Sequence, residues 1–140
     1  MSLIFEDETY RIRGAVFEVY KSLGPGFLES VYQSALEHEL KLRGIPFESQ
    51  KELPVSYKNI SVGKFRADIV CYNKIILELK AVEEITNEHL AQIKNYLKIT
   101  NFDLGLLINF NHHPGVDIRR CIRDGVTYSV REDDVPYNYS

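Results

Sequence analysis

The nearly continuous apolar run at residues 103–110 constrains the fold of this chain more than any other feature. A strand with one face in solvent alternates polar and apolar residues, whereas this run stays apolar at successive positions. The run therefore predicts an interior strand that is covered on both faces. A chain of 140 residues is long enough to bury such a core by itself, and no linker divides it, so we expect a single domain over residues 1–140.

Three segments carry the period of a helix. Apolar residues recur at spacings of three and four over residues 7–22, over about 27–43 and over about 85–99. Gly44 follows the second of these segments and is expected to cap that helix.

Three strands are predicted between the second and third helices, because the apolar period changes to two over residues 47–81. Short turns are expected near residues 58–59 and near Asn73. The third helix links the last of these strands to the apolar run, and such a strand–helix–strand unit is normally parallel. A short final strand is predicted by the alternating apolar residues Val126, Tyr128 and Val130. The tail from about residue 133 is expected to be loosely held, and the fold class is α/β, a mixed central sheet flanked by helices.

The charge balance weighs mildly against binding a polyanion by bulk attraction, since 17 Lys and Arg face 20 Asp and Glu for a net charge of −3. A local cluster or bound cations would have to supply the attraction. Cys71 and Cys121 form no CxxC pattern and are expected to be reduced thiols of a cytosolic protein. The first eight residues lack the features of a signal peptide, and no apolar stretch approaches 20 residues. We therefore expect a cytoplasmic location and no membrane association.

Two acidic residues and a lysine occupy related positions on the second and third predicted strands. Alternation places Glu78 and Lys80 on one face of the third strand. Asp68 and Glu78 are equidistant from Asn73, so a three-residue turn centred there would bring their Cβ atoms to about 4.5–5.5 Å. A two-residue turn would instead put the two carboxylates on opposite faces. On the second strand, Asp68 is expected to face away from the apolar residues Phe65, Ala67, Ile69 and Cys71.

Facing carboxylates repel, and a proton, a basic side chain or a divalent cation must offset that repulsion. Lys80 supplies one positive charge beside Glu78. An all-oxygen site of two carboxylates, a backbone carbonyl and water suits a hard cation, Mg²⁺ or Mn²⁺. The spacing alone also allows another interpretation, an ordinary salt-bridged triad on the surface.

The surrounding pattern favours the metal site. Asp68 followed by Glu78 and Lys80, on adjacent strands with a helix after them, resembles the PD-(D/E)xK nuclease superfamily. Ala67 stands where that motif has proline. The resemblance implies a restriction-endonuclease-like core.

Two more motifs extend the resemblance over the chain from the first helix to residue 110. Gln92 and Tyr96 share one face of the following helix and resemble the QxxxY motif of RecB-type nucleases. A GxxExxY string, which names a family of small bacterial and archaeal proteins in the same superfamily, is matched by Gly26, Glu29 and Tyr32.

The resemblance implies a ligand set for the metal. Asp68 and Glu78 would hold the ion together with the carbonyl of Leu79, and Glu29 would add a ligand directly or through water. An alternative for Glu29 is that it only favours the dipole at the start of its helix.

The resemblance also implies roles for residues beside the metal. Lys80 would position or deprotonate the attacking water and offset charge in the transition state, and Gln92 and Tyr96 would orient the substrate or the lysine. Gln92 and Tyr96 could instead form a hydrogen bond across a packed helix. Tyr32 is expected in the core, and His89 is expected to be a solvated helix residue.

Basic residues near the predicted site are candidates for phosphate contacts, although solvated surface is their ordinary interpretation. The candidates are Lys64, Arg66, Lys94 and Lys98. The same two interpretations, phosphate contacts or solvated surface, apply to a second basic cluster, Arg119, Arg120 and Arg123.

The resemblance implies a Mg²⁺-dependent, nuclease-like enzyme that hydrolyses nucleic acid, with DNA as the expected substrate. The main alternative is a catalytically idle domain that keeps the fold for binding or assembly, since the chain is acidic and has no separate DNA-binding domain. A regulatory subunit of a larger nucleic-acid machine is a third. A homodimer would help each of them by extending a small surface along a duplex.

Overall fold

The computed structural model describes residues 4–123 and 129–131, the last three as backbone only. These residues form three helices and six strands. In chain order they are α1 (Glu6–Leu23), α2 (Glu29–Leu42), β1 (Phe47–Tyr57), β2 (Ile60–Cys71), β3 (Ile75–Lys80), α3 (Asn87–Thr100), β4 (Leu104–Asn109), β5 (Asp117–Ile122) and β6 (Ser129–Arg131).

The six strands form one mixed sheet in the order β1-β2-β3-β4-β5-β6. Only β3 and β4 run parallel, joined across α3, and the other neighbouring pairs are antiparallel. Every residue of β4 is buried, as expected for an interior strand with a helical layer on each face. The predicted α/β class, the mixed sheet and the parallel crossover are therefore confirmed.

Helices cover the sheet unequally. On one face α1 and α2 bury a stripe that includes Ile12, Val16 and Leu36, and on the other face α3 buries Ile93 and Leu97. Gly105 in β4 brings α3 close, because a Cβ at that position would lie 2.9 Å from Cδ1 of Ile93. This close packing determines which side of α3 is buried against the sheet and which side is exposed.

The predicted cap of α2 is confirmed. Gly44 has a φ of +69°, its N–H donates to the Lys41 carbonyl, and the N–H of Ile45 donates to the Leu40 carbonyl. This double hydrogen bond is a Schellman motif, which favours glycine at that position.

The strand β5 was not expected from the sequence, and the expectation of solvated arginines is wrong for Arg119 and Arg120. Arg120 is buried and donates to the Thr9 hydroxyl at 3.2 Å and to the Ile4 carbonyl. Arg119 is mostly buried and pairs with Asp117 at 2.9 Å. The charged residues obscure the strand pattern in the sequence, and the partners of Arg120 lie on a distant segment.

The predicted final strand is present as β6, which contains Val130. Val126, Tyr128 and the tail from residue 133 lie outside the described residues. Within the described part of the chain, none of the helices has the length and apolar character needed to cross a lipid bilayer.

Candidate active site

Strands β2 and β3 pair for only three residues before they separate. The pairs are Cys71 with Ile75, Val70 with Ile76, and Ile69 with Leu77, symmetrical about Asn73, which has a φ of +57°. The predicted register is therefore confirmed.

Asp68 and Glu78 are the next residues outward, at the point where the ladder ends. From there β3 continues along β4 up to Lys80, and β2 continues along β1. We call this point, defined by Asp68, Glu78, Leu79 and Lys80, the fork.

Hydrogen bonds hold Asp68 in the fork. Its Oδ2 accepts from the backbone N–H of Leu79 at 2.7 Å, so a side chain replaces the missing strand partner. Because the N–H and C=O of a strand residue point to the same edge, the Leu79 carbonyl also faces the fork. The Lys80 carbonyl points the other way and accepts from the N–H of Phe110 at 2.9 Å.

The chain bends at Asp68, and one sequence expectation is wrong for this reason. Phe65 and Ala67 pack in the cluster beneath α3, whereas Ile69 and Cys71 pack against α1 and α2, so the four do not share a face. Regular pairing with β1 skips from Ala67 to Ile69. The β1 residue in the gap is Gln50, whose φ is +50°.

The carboxyl groups in and beside the fork have raised pKa values, so they ionise less readily than free carboxyl groups. Burial, and then the charge of Asp68, raise the pKa of Glu78 to about 8. Burial also raises the pKa of Asp68, against the opposing effects of the Leu79 hydrogen bond and of Lys80. Partial burial and the charge of Asp68 raise the pKa of Glu29, and Lys80 opposes them. Three carboxylates thus share the electrostatic influence of one lysine.

The oxygen donors of the fork fit a hard divalent cation. Oε1 of Glu78 is buried and has no hydrogen-bond partner, and such an orphaned oxygen is costly unless something satisfies it. Among residues 4–123 no three His, Cys, Asp or Glu side chains form a ready-made metal cluster. A site here would therefore rely on two carboxylates and the Leu79 carbonyl, with Glu29 as an additional donor.

A cleft of about 380 Å³ opens over the fork. It brings together all the predicted site residues except Leu79, Lys94 and Lys98. The lining residues are Glu29, Val55, Lys64, Phe65, Arg66, Asp68, Glu78, Lys80, Gln92 and Tyr96. A larger groove of about 610 Å³ between α1 and the end of α2 shares none of these residues and contains no paired carboxylates.

Gln92 and Tyr96 lie on the flank of α3 that faces the cleft. The Tyr96 ring stacks on Phe65 with centroids 3.6 Å apart, and Gln92 and Tyr96 both line the cleft. Burial and the charge of Glu78 raise the pKa of Tyr96. The Gln92 side chain opposes that rise, so the two residues act on each other inside the cleft and beside Glu78.

Lys94 and Lys98 were expected near the predicted site, but they do not lie near the fork. A helix turns about 100° per residue, so they lie on the opposite flank of α3 from Gln92 and Tyr96. The charge of Lys94 acts on Cys121 in β5, a strand that β3 and β4 separate from β2.

Tyr32 is in the core, as predicted, and it organises the start of α2. Its ring stacks on Phe110 at 4.6 Å. Its hydroxyl donates to the Gly24 carbonyl at 2.5 Å and accepts from the N–H of Phe27 at 3.2 Å. These bonds fix the loop that leads to Glu29, the first residue of the helix.

Sequence reasoning missed two residues that support the fork. Gln33, one turn after Glu29, donates to the backbone carbonyl of Asp68 at 2.9 Å. Asn109 is buried and forms hydrogen bonds with both the N–H and the C=O of Val82, which holds the chain just beyond Lys80. A polar residue closing an otherwise apolar strand was the available signal for Asn109, and Gln33 had none beyond its spacing.

His89 caps α3 and is not free in solvent. Its Nδ1 accepts from the N–H of Thr86 at 3.0 Å, and its own N–H donates to the Thr86 hydroxyl at 3.2 Å. This reciprocal pair is a capping box in which histidine takes the place of glutamate.

A sequence model of the PD-(D/E)XK nuclease superfamily matches residues 6–121, from α1 into β5. Neither the curated proteins nor the solved structures gave a match to this chain.

Proposed function

Because the chain belongs to the PD-(D/E)XK nuclease superfamily, we propose that it hydrolyses phosphodiester bonds of nucleic acid, with DNA as the expected substrate and Mg²⁺ or Mn²⁺ as the cofactor. Its mixed, helix-flanked sheet is consistent with the restriction-endonuclease-like core of that superfamily. The observation that carries the proposal is the fork, where Asp68 and the orphaned Oε1 of Glu78 converge beside Lys80.

Asp68, Glu78 and the Leu79 carbonyl would hold the cation, with Glu29 as a direct or water-mediated ligand. When bound, a divalent cation polarises a phosphodiester and lowers the pKa of a bound water. Gln33 and the Leu79 N–H hold Asp68 in place, so the main ligand would need little rearrangement.

Lys80 shares the cleft with the carboxylates and can donate a hydrogen bond to the attacking water or to a phosphate oxygen. Gln92 and Tyr96 line the same cleft, and the stack on Phe65 restrains the Tyr96 ring. We expect their polar groups to orient Lys80 or the scissile phosphate, as the proposed QxxxY motif implies. The GxxExxY assignment is supported by Tyr32, which fixes the loop that presents Glu29.

The test is cleavage of labelled single-stranded, double-stranded and branched DNA and of RNA, with Mg²⁺, with Mn²⁺ and with a chelator. We expect metal-dependent cleavage that falls at least about 10²-fold in Lys80→Ala. Lys94→Ala removes the same charge outside the cleft and should change the rate less than about twofold. Metal binding without cleavage by the intact protein would favour the idle binding module. Cleavage that survives both Lys80→Ala and Asp68→Ala would assign the activity to another site or a contaminant.

A further inference from the structure

The β1–β2 hairpin extends past the fork as a two-stranded ribbon. Pairing with β3 stops at Ile69, whereas pairing with β1 continues to Tyr57 and Ile60 at the hairpin turn. We call residues 52–66 the arm. Its inner side packs on α3 through Leu53 and Phe65, which ties the arm to the wall of the cleft.

A row of positive charge leads outward from the fork along the arm. Arg66 and Lys64 are two and four residues before Asp68, so each step along β2 is about 6.7 Å. Both side chains are exposed, and both line the cleft. They share one carboxylate, Glu52, at 3.1 and 3.4 Å, so this row keeps a net positive charge that phosphates would complement.

The tip of the arm is apolar. Tyr57, Ile60 and Val62 are 61%, 66% and 59% exposed, and Lys58 lies 5.4 Å from the centre of the Tyr57 ring. Phosphates gain nothing from such side chains, and a duplex covers the flat faces of its bases. Unpaired bases present those faces and stack on aromatic residues for about 1–3 kcal/mol each.

We propose that the arm binds a single-stranded segment of the nucleic acid, with phosphates next to the cut on Lys64 and Arg66 and unpaired bases on the apolar tip. This inference rests on the proposed function and names its substrate class. A second copy of the chain would also suit an apolar tip, but the charged row that runs from the tip into the cleft favours a polyanion.

Binding of a labelled 20-nucleotide single strand, measured by fluorescence anisotropy with Ca²⁺ in place of Mg²⁺, tests the charged row. Lys64→Glu with Arg66→Glu should weaken binding at least tenfold. Losing two phosphate contacts should also reduce the salt slope by about 1.4. The matched control, Lys94→Glu with Lys98→Glu, carries the same charge change on the far flank of α3 and should weaken binding less than threefold. Glu52→Gln releases both cations and should tighten binding about threefold.

The tip is tested by Tyr57→Ser with Ile60→Ser, which should weaken single-strand binding about fivefold without changing the salt slope. Leu42→Ser, at an equally exposed apolar residue on α2, should have no effect. All variants are at the surface, so melting temperatures should stay within about 3 °C of the wild type.

Three results would overturn the assignment. They are equal losses in the two double-charge variants, equal or tighter binding of the matching blunt duplex, and tip variants that dissociate a dimer in sedimentation velocity. Cleavage measured in parallel separates the two proposals. Asp68-dependent cleavage with an unchanged KM in the arm variants would reject the arm and keep the nuclease, whereas arm-dependent binding without cleavage would support the arm and reject hydrolysis.

Discussion

The two ends of the β2–β3 hairpin differ sharply although they are one residue apart. At the closed end, Ile69 and Leu77 face each other in a regular ladder and are fully buried. At the fork, Asp68 and Glu78 stand where the ladder stops, half-buried and with raised pKa values. The strands separate at the second end, so the N–H and C=O of Leu79 on that edge take no part in strand pairing. These groups are therefore available to the candidate site.

The comparison also separates stability from function. Burial of apolar side chains at the closed end stabilises the fold by about 1.5–3 kcal/mol for each large residue. The fork does the opposite, because the orphaned Oε1 of Glu78 costs about 1–3 kcal/mol when nothing satisfies it. The closed end therefore offsets what the open end costs.

The largest effect should come from Asp68→Asn. The amide oxygen can still accept from Leu79, so the fold should persist, while the loss of a charged ligand should slow single-turnover cleavage about 10³-fold, or about 4 kcal/mol of barrier. Asp103→Asn, which removes an exposed carboxylate paired with Arg123, is the control. A loss of activity matched by unfolding would contradict the separation.

Leu77→Ala should show the reverse pattern at the closed end. Leu77 is fully buried, so the cavity should lower the free energy of unfolding by about 3 kcal/mol, measured by urea denaturation. Cleavage per folded molecule should change less than threefold. A selective loss of activity in the stable fraction would show that the two ends are not separable.

Glu78 should make the metal-free protein less stable as pH rises. Its folded pKa of about 8 lies above the ordinary value of 4.5, so the folded state holds a proton that the unfolded state releases between those values. Stability from this group is present below about pH 4.5 and is lost as pH approaches 8. In the presence of a chelator, the wild type should lose about 2 kcal/mol more than Glu78→Gln between pH 6 and pH 8. Parallel pH profiles for the two proteins would refute this.

Gln33→Ala should have the smallest effect, about 1 kcal/mol in stability, since it removes the hydrogen bond to the Asp68 carbonyl. As a positioning residue, Gln33 should also lower the affinity for Mn²⁺ about fivefold. Ser49→Ala removes the neighbouring hydrogen bond to Glu37 and leaves Gln33 bound to Asp68, so it should not change that affinity. Equal Mn²⁺ affinities in both variants would reduce Gln33 to a structural role.

Local periodicity was enough to predict most of the fold. The apolar run of β4 and the symmetry about Asn73 predicted the interior strand and the register of the fork, because both depend on neighbouring residues. The partners of Arg120 are Thr9 and Ile4. Because these residues are distant in the sequence, they leave no local pattern, and β5 was missed for that reason. The bend at Asp68 depends on Gln50 in another strand and was missed in the same way.

The candidate site was predictable where it follows from strand alternation and helix spacing, as for Glu78 with Lys80 and Gln92 with Tyr96. The site was not predictable where a residue's position depends on which flank of a helix faces the cleft. Sequence distance placed Lys94 near the fork, but the packing of α3 on Gly105 turns that flank toward β5.

Calorimetric titration with Mn²⁺ tests most directly whether the fork holds a hard cation. At pH 7 we expect one ion per chain, with proton release seen as a dependence of the heat on the buffer, because Glu78 is largely protonated beforehand. Affinity should fall at least about 30-fold in Asp68→Asn and in Glu78→Gln and stay unchanged in Asp103→Asn. Binding of Mn²⁺ with the same affinity and the same proton release in all four proteins would contradict the account.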